Sequence, residues 1–185
     1  MQLMLRFQKG ERAAFDELVE RNVNKVHALI YRFLGGGELV EDITQEAFLR
    51  VFRTAARYEP AAKFGTWLYR IVANLSFNVL RDRRKGQLLQ WDAPSDQDDS
   101  YRDVPDEDAP MPQEDLDASE LAGRVSQAID SLPENQKIAI ILNKYEHKNY
   151  GEIAHVLDCS TMAVKSLLSR ARTNLRQALR RYVKP

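Results

Sequence analysis

Residues 161–185 read TMAVKSLLSRARTNLRQALRRYVKP and contain seven lysines and arginines but no acidic residue. The apolar residues of this stretch recur every three or four positions, which predicts one amphipathic helix. Its core-facing stripe is predicted to consist of Val164, Leu168, Ala171, Leu175 and Leu179. The opposite, basic and hydroxylated side is predicted to present Lys165, Ser166, Ser169, Thr173 and Arg176, flanked by Arg170 and Arg172.

A second, shorter helical pattern at 150–157 precedes this helix and is separated from it only by Asp158-Cys159-Ser160. Two helices in this order, joined by a tight turn, are typical of a helix-turn-helix that places its second helix in the DNA major groove. Ser160 or Thr161 is expected to cap the second helix and to leave its first N–H groups near a phosphate. The alternative is a solvated basic face with no specific partner.

Charge is strongly segregated along the 185 residues, although the formal net charge is zero. Residues 92–120 contain twelve acidic residues against the single Arg102, a local charge of −11, so the remainder sums to +11. Pro94, Pro105, Pro110 and Pro112 also lie in this acidic spacer, which has few large apolar residues and is expected to be disordered. We therefore expect two basic, polyanion-binding domains, 1–91 and 118–185, joined by an acidic flexible linker at 92–117.

Several classes of protein are disfavoured by the sequence. No apolar stretch approaches the roughly 20 residues of a membrane span, and no signal peptide is evident, so we expect a cytoplasmic protein. Cys159 is the only cysteine and the three histidines are scattered, so neither a disulfide nor a metal site is expected. Phosphate-loop, nucleophile-elbow and dinucleotide-binding motifs are also missing, so no cofactor and no catalytic residue are predicted.

The chain is expected to be all-α, with a helical bundle in the N-terminal domain and a helix-turn-helix in the C-terminal domain, since no segment alternates with period two for long. The glycines at 35–37 are interpreted as a turn between the first two helices, and Pro133 as part of a first helical turn. The predicted helices span about 11–34, 39–57, 66–85, 118–131, 134–145, 150–157 and 161–182.

The second predicted helix carries a mixed acidic and apolar strip on its outward side. Ile43, Ala47 and Val51 mark its core stripe. The outward strip consists of Asp42, Gln45, Glu46, Leu49 and Arg53. Such a strip fits a contact with another protein, although a single exposed leucine is also normal on a monomer.

The third predicted helix has a polar ridge beside its core stripe. The ridge consists of Arg70, Asn74, Phe77, Asn78 and Arg81, with Tyr58, Phe64 and Trp67 nearby. Amides, aromatic rings and arginines together can hold bases that have left the duplex. Taken singly, each asparagine is better explained as a surface or capping residue, and each aromatic residue as part of the core.

The order of these segments resembles that of bacterial sigma factors of the extracytoplasmic-function (ECF) group. The resemblance covers nearly the whole chain. In the N-terminal half it is carried by QKGE at 8–11, DITQEAF at 42–48, and TWLYRI at 66–71 followed by Ala73-Asn74. In the C-terminal half it is carried by LPE at 132–134, YGEIA at 150–154, VKS at 164–166 and RAR at 170–172.

This resemblance implies a subunit that directs core RNA polymerase to promoters and has no catalysis of its own. Docking on the clamp helices of the largest polymerase subunit is then expected of Asp42, Gln45, Glu46, Leu49, Arg50 and Arg53. Reading and opening of the minus-ten element is expected of Tyr58, Phe64, Trp67, Arg70, Asn74, Asn78 and Arg81, with the loop from about 58 to 64. Reading of the minus-thirty-five element as duplex is expected of Thr161, Lys165, Ser166, Ser169, Arg170, Arg172 and Arg176.

The resemblance further implies control by an anti-sigma factor that covers both domains, and a linker that follows the RNA exit path. The recognition helix departs from the family pattern at Leu167 and Ser169, so no promoter sequence carries over. Two other classes use part of the same features. A helix-turn-helix repressor or activator would bind palindromic duplex without polymerase, and an adaptor would use the helical faces for proteins only. Only the sigma factor uses the polar ridge and the acidic and apolar strip together.

Overall fold

A computed structural model describes residues 2–59, 63–91 and 118–182, with side chains at 2–59, 63–84 and 120–182. Within these ranges the regular structure is entirely helical, which confirms the all-α prediction. The helices are α1 (Gln2–Gln8), α2 (Arg12–Leu34), α3 (Leu39–Thr54), α4 (Phe64–Trp91), α5 (Ala118–Asp130), α6 (Glu134–Lys144), α7 (Tyr150–Leu157) and α8 (Thr161–Ala178). A 3₁₀ turn, Ala55–Arg57, follows α3.

The N-terminal domain consists of α1 to α4, with α2, α3 and α4 packed against one another. Apolar residues at helical spacing turn one stripe of each helix inward, as the hydrophobic effect requires of an amphipathic helix. The core is built chiefly from Val26, Ile30, Phe33, Ala47, Val51, Leu68 and Val72, all essentially inaccessible to solvent. The outward faces of α3 and α4 are thereby fixed by their buried stripes.

Glycine is required at the turn between α2 and α3. Gly35 ends α2 in the left-handed conformation, with φ of 72°, and Gly36 and Gly37 also have positive φ. The N–H of Gly36 donates to the carbonyl of Tyr31 at 2.9 Å, which satisfies one of the last carbonyls of the helix. The turn predicted from the glycine triplet is confirmed.

The C-terminal domain consists of α5 to α8, and α8 packs against α6 and α7. Asn149 and Glu152 form a reciprocal capping box at the start of α7. Asp158 ends α7 in the left-handed conformation, and the Ser160 hydroxyl accepts from the N–H of Ala163 at 3.1 Å to cap α8. These caps fix the short turn between α7 and α8, and Ser160 is the capping residue of the two that the sequence allowed.

The two domains also contact each other. α4 packs against α7, and α2 and α4 both approach α6. A Cβ placed on Gly35 would lie 3.0 Å from a carboxylate oxygen of Asp130, so a side chain at position 35 would not fit without movement of Asp130. Helix α7, the first helix of the helix-turn-helix, therefore packs against α4, the helix that carries the predicted minus-ten ridge.

One helix was missed, and the bounds of three predicted helices were wrong. Helix α1 was not predicted, because it has only seven residues and one buried side chain, Met4. Helix α3 ends at Thr54 where the backbone tightens into the 3₁₀ turn. Helix α4 spans Phe64–Trp91, so it starts before and ends beyond the predicted 66–85. Helix α8 ends at Ala178, since Leu179 to Tyr182 form turns. The linker predicted at 92–117 lies outside the described residues.

Candidate nucleic-acid interface

The outward face of α8 is a basic surface held on a buried stripe. Val164, Leu168 and Ala171 are completely buried, so rotation of the helix about its axis is fixed. Leu175 and Leu179 are half-buried rather than buried, near the end of the helix. The predicted DNA-facing residues Thr161, Lys165, Ser169, Arg170, Arg172 and Arg176 are exposed, and Ser166 is half-buried.

The cations on this face are largely uncompensated. Within the part of the chain that the structure describes, Lys165, Arg170 and Arg176 form no ion pair. A guanidinium nitrogen of Arg172 lies 3.5 Å from the amide oxygen of Asn143, a neutral partner. Positive charge therefore remains available on this face for phosphates, and guanidinium forks for base edges.

The polar ridge of α4 is also on the surface. Arg70, Asn74, Asn78 and Arg81 are exposed, and Phe77 is half-buried beside them. The Arg81 guanidinium donates to the amide oxygen of Asn78 at 3.1 Å, which orients that amide. The structure thus brings the predicted amides and arginines onto one face of one helix.

The three aromatic residues near this ridge form a packed cluster. The rings of Tyr58 and Trp67 are 4.9 Å apart between centroids, and Phe64 lies 5.8 Å from Trp67. Tyr58 and Phe64 are only 4% and 9% exposed, so neither presents a ring face for a base in this conformation. Burial raises the pKa of the Tyr58 phenol. For these two residues the core interpretation was the better one, and half-buried Trp67 is the aromatic residue left near the surface.

Arg70 differs from the other ridge residues in having an acidic partner from the other domain. Its guanidinium lies 3.0 Å from the carboxylate of Asp158 at the end of α7. Lys63, just before α4, lies 3.3 Å from the carboxylate of Glu152. The pKa of Glu152 is lowered by the hydrogen bond from the Asn149 backbone and also by Lys63. Two cations at the N-terminal end of α4 are therefore neutralised by α7.

An apolar groove lies between α2 and α3. It has a volume of about 490 Å³ and almost no polar lining. Its walls consist of Phe15, Val19, Val23, Thr44, Gln45, Phe48, Leu49 and Phe52. Leu49 and Phe52 are 48% and 53% exposed, and Phe52 packs against Phe7 and Phe15 with ring centroids about 5.3 and 5.2 Å away. A contiguous apolar surface of this kind is typical of a protein-binding site.

The strip predicted for protein binding borders this groove. Gln45 and Leu49 line it, and Asp42, Arg50 and Arg53 are exposed on the same helix. Glu46 is half-buried and pairs with Arg50 at 2.9 Å. The sequence analysis missed the other half of the surface, Phe52 with the α2 wall. Phe52 follows Gln45 and Leu49 at helical steps, so the spacing alone could have included it.

Two models of the sigma-70 family match the chain, "Sigma-70 region 2" at residues 18–86 and "Sigma-70, region 4" at residues 122–175. The chain is 36% identical over 176 residues to the ECF RNA polymerase sigma factor SigE of Mycolicibacterium smegmatis, covering 94% of this chain and 65% of that protein. It is also 33% identical over 183 residues to the RNA polymerase sigma-H factor of Pseudomonas aeruginosa, covering 96% and 92% of the two chains.

The chain belongs to the ECF sigma factors. Its fold is shared by two solved structures. CnrH in complex with the cytosolic domain of CnrY aligns with a TM-score of 0.68 and 25% identity, over 98% of this chain and 97% of that one. The sigma factor RpoE of Bartonella quintana, in complex with the anti-sigma factor NepR, aligns with a TM-score of 0.64 and 22% identity, over 90% and 96% of the two chains.

As an ECF sigma factor, the chain directs core RNA polymerase to initiate transcription at promoters. The region 2 match includes α4 and its polar ridge, and the region 4 match includes α7 and most of α8. Within the described ranges, no group of three or more His, Cys, Asp or Glu residues is placed to hold a metal ion. No helix in those ranges is long and apolar enough to cross a bilayer.

Proposed function

We propose that this sigma factor divides promoter recognition between residues 1–91 and 118–185, with residues 92–117 as the linker. The observation that supports this division is the presence of two outward faces of different chemistry on separate domains. The α8 face combines cations and hydroxyls, whereas the α4 ridge combines amides with cations. The first set suits duplex and the second suits separated bases.

The minus-thirty-five element is read as duplex by α8. Lys165, Ser166, Ser169 and Arg170 enter the major groove, and Thr161, Arg172 and Arg176 contact the flanking backbone. All of these residues except half-buried Ser166 are exposed, and Lys165, Arg170 and Arg176 have no acidic partner among the described residues, which supports this assignment. Backbone contacts give salt-sensitive affinity, while base contacts give sequence preference.

The minus-ten element is read and held open by the α4 ridge. Asn74 and Asn78 offer amides to base edges, and Arg70 and Arg81 neutralise the backbone. Trp67 offers its exposed edge, while buried Tyr58 and Phe64 support it from below, as their ring contacts suggest. Tyr58 and Phe64 therefore act by positioning Trp67 rather than by touching DNA.

Polymerase binds at the groove between α2 and α3 and at the strip beside it. The clamp helices of the largest subunit lie along Leu49 and Phe52, with Asp42, Gln45, Glu46, Arg50 and Arg53 at the polar edge. Apolar centres with charged rims are typical of protein interfaces. In this arrangement the sigma factor supplies recognition in the cytoplasm and no catalytic group, and an anti-sigma factor controls it by covering both domains.

The groove is tested by affinity for core polymerase. Leu49→Ala with Phe52→Ala is expected to weaken binding by about 2 kcal/mol or more, roughly 30-fold, if these residues are the centre of the contact. Leu39→Ala is the matched control, because Leu39 is also an exposed leucine of α3 but does not line the groove. Equal affinities for the double variant and the control would remove the groove from the interface.

Promoter direction is tested by reconstituted transcription. The purified chain is mixed with core polymerase and fragmented genomic DNA, and the transcript 5′ ends are mapped. We expect initiation at discrete positions that share upstream sequences at two separated elements. Transcripts at the same positions with core polymerase alone would contradict the proposal.

A further inference from the structure

Ion pairs of one polarity cross the contact between the two domains. Four basic residues of the N-terminal domain face four acidic residues of the C-terminal domain. The pairs are Arg32–Glu146 at 3.4 Å, Lys63–Glu152 at 3.3 Å, Arg70–Asp158 at 3.0 Å and Arg84–Glu134 at 3.4 Å. In every pair the cation comes from the first domain and the carboxylate from the second.

The acidic residues of the C-terminal domain are concentrated on this contact. Residues 120–182 contain six acidic residues, and four of them are the partners just named. The other two, Glu120 and Asp130, pair within their own domain with Arg124 and Lys137. The α8 face, by contrast, carries no carboxylate. The C-terminal domain therefore presents a negative side to the N-terminal domain and a positive side to solvent.

Contacts made by two tyrosines add specificity to the ion pairs. The Tyr69 hydroxyl of α4 donates to Glu146 at 2.7 Å, and the Lys148 ammonium lies 4.9 Å from the centre of the Tyr69 ring. Tyr69 is only 7% exposed, and its burial together with this hydrogen bond raises the pKa of its phenol. Arg32 also lies over the Tyr145 ring at 5.2 Å. These contacts define one particular docking of the domains.

Two of the four cations lie at or next to the α4 ridge, which is proposed to contact the minus-ten element. Arg70 is a member of the α4 ridge, and Lys63 borders the loop just before it. A carboxylate and a phosphate are both anions that accept from guanidinium and ammonium groups. Asp158 therefore pairs with a cation that the proposed function assigns to the DNA backbone, so this carboxylate and a phosphate compete for Arg70.

We propose that this arrangement is a closed, self-inhibited form, in which the acidic side of the C-terminal domain acts as a stand-in for promoter phosphates on α4. This inference rests on the proposed minus-ten role of α4. In the closed form the α8 face stays exposed while the Arg70 end of the ridge is blocked. Duplex can therefore be engaged by α8 in the closed form, whereas single-stranded DNA can pair with Arg70 only after the domains separate.

The weakness of these ion pairs suits a switch rather than a permanent lock. The paired cations are substantially exposed, with the Lys63 and Arg84 side chains 83% and 70% accessible. Exposed pairs are weak and are screened further by salt over a Debye length of about 8 to 10 Å. The ligand that binds the open form can then shift the population through its own binding free energy.

The test compares two isosteric charge removals in the full chain. Asp158→Asn breaks the pair with Arg70, and asparagine tolerates the left-handed backbone at this position. Glu120→Gln is the matched control, because it removes the same charge from the same domain and breaks an exposed pair, with Arg124, away from the contact. The probe is a fluorescein-labelled single-stranded DNA of mixed sequence, followed by anisotropy at about 50 mM salt.

We expect Asp158→Asn to bind this DNA about two- to five-fold more tightly than the wild-type chain, as removal of one exposed competing pair predicts. Glu120→Gln should change the affinity by clearly less. An equal gain in affinity for both variants would overturn the inference, because the removal of any negative charge would then explain it. No gain for either variant would also overturn it, because Asp158 would then not compete with DNA.

A second measurement does not depend on DNA or polymerase. The radius of gyration in small-angle X-ray scattering is expected to rise between about 50 and 500 mM salt for the wild-type chain. The double variant Glu146→Gln, Asp158→Asn should already be expanded at low salt, while Glu120→Gln behaves as the wild type. Identical radii for all three chains at both salt concentrations would overturn the closed form. Failure of promoter-directed transcription would instead count against the proposed function, since neither of these measurements uses polymerase.

Discussion

Helices α4 and α8 are both amphipathic and both basic on their outward side, but they differ in whether those cations are paired with carboxylates. The α8 face looks to solvent with Lys165, Arg170 and Arg176 unpaired among the described residues, whereas Arg70 of α4 is held by a carboxylate from the other domain. The difference teaches that charge composition alone does not decide which surface is ready to bind. The position of acidic residues elsewhere in the fold decides it.

The largest effect is expected from a substitution in the buried stripe of α8. Leu168 is completely buried on the core stripe. Leu168→Ala should lower the free energy of unfolding by about 2 to 5 kcal/mol, because the lost packing leaves a cavity. Urea denaturation followed by circular dichroism measures it, and duplex binding should fall while polymerase binding persists.

The control for this change is Met162→Ala on the same helix. Met162 is 77% exposed, so its truncation should alter stability by less than about 0.5 kcal/mol. A Leu168→Ala midpoint indistinguishable from that of Met162→Ala would mean that α8 does not depend on its buried stripe.

The next effect concerns the α4 ridge. Asn74→Ala with Asn78→Ala should leave polymerase affinity unchanged but reduce open-complex formation, since each base contact is worth about 1 to 3 kcal/mol. Permanganate reactivity of thymines at the minus-ten element reports the opening. Asn24→Ala, an exposed asparagine on α2, is the control. Wild-type permanganate footprints from the double variant would refute the role of the ridge.

A smaller effect separates base reading from phosphate binding on α8. Arg170→Ala should lower discrimination among minus-thirty-five sequences by about 1 to 3 kcal/mol and general DNA affinity by less. Arg180→Ala, beyond the end of α8, should weaken all sequences alike. Competition binding with a set of duplexes measures both. A uniform loss from Arg170→Ala would assign that residue to the phosphates.

The smallest effect is expected at Glu152, which completes the capping box of α7 and also pairs with Lys63 of the other domain. The pKa of Glu152 is lowered in the folded chain, so its carboxylate stabilises the fold above its unfolded pKa. That stabilisation is lost as the pH falls through the folded value. Glu152→Gln should therefore cost about 1 kcal/mol at pH 7 and progressively less in acid.

Urea midpoints between pH 7 and pH 3 measure this dependence. Glu20→Gln serves as the control, because Glu20 is an exposed carboxylate on α2. If Glu152→Gln and Glu20→Gln gave parallel profiles, the cap would make no pH-dependent contribution.

Local features of the chain could be predicted from the sequence where they depend on neighbours along one helix. The stripe of α8, the Ser160 cap and the turn at Gly35 follow from spacing and from residue type. The exposure of Asn74 and Asn78 follows likewise, because the buried stripe of α4 fixes the opposite face.

Features that depend on contacts between distant segments could not be predicted in this way. Whether Tyr58 and Phe64 are core or surface is decided by their packing against Trp67 after the chain folds. The groove needs Phe15 of α2 beside Phe52 of α3, and the pairing of Arg70 with Asp158 needs two domains in contact. Spacing carries no information on any of these.

Gly35 shows how one missing methyl group ties the two halves of the chain together. Alanine at this position would strain the left-handed turn by about 1 kcal/mol or more and would also meet the Asp130 carboxylate. In a fragment that consists of the N-terminal domain alone, Asp130 is missing and only the backbone strain would remain. The tolerance of position 35 to substitution is therefore set partly by a residue of the other domain. The loss in free energy of unfolding caused by Gly35→Ala in the intact chain, minus the loss in the fragment, measures how closely the two domains approach.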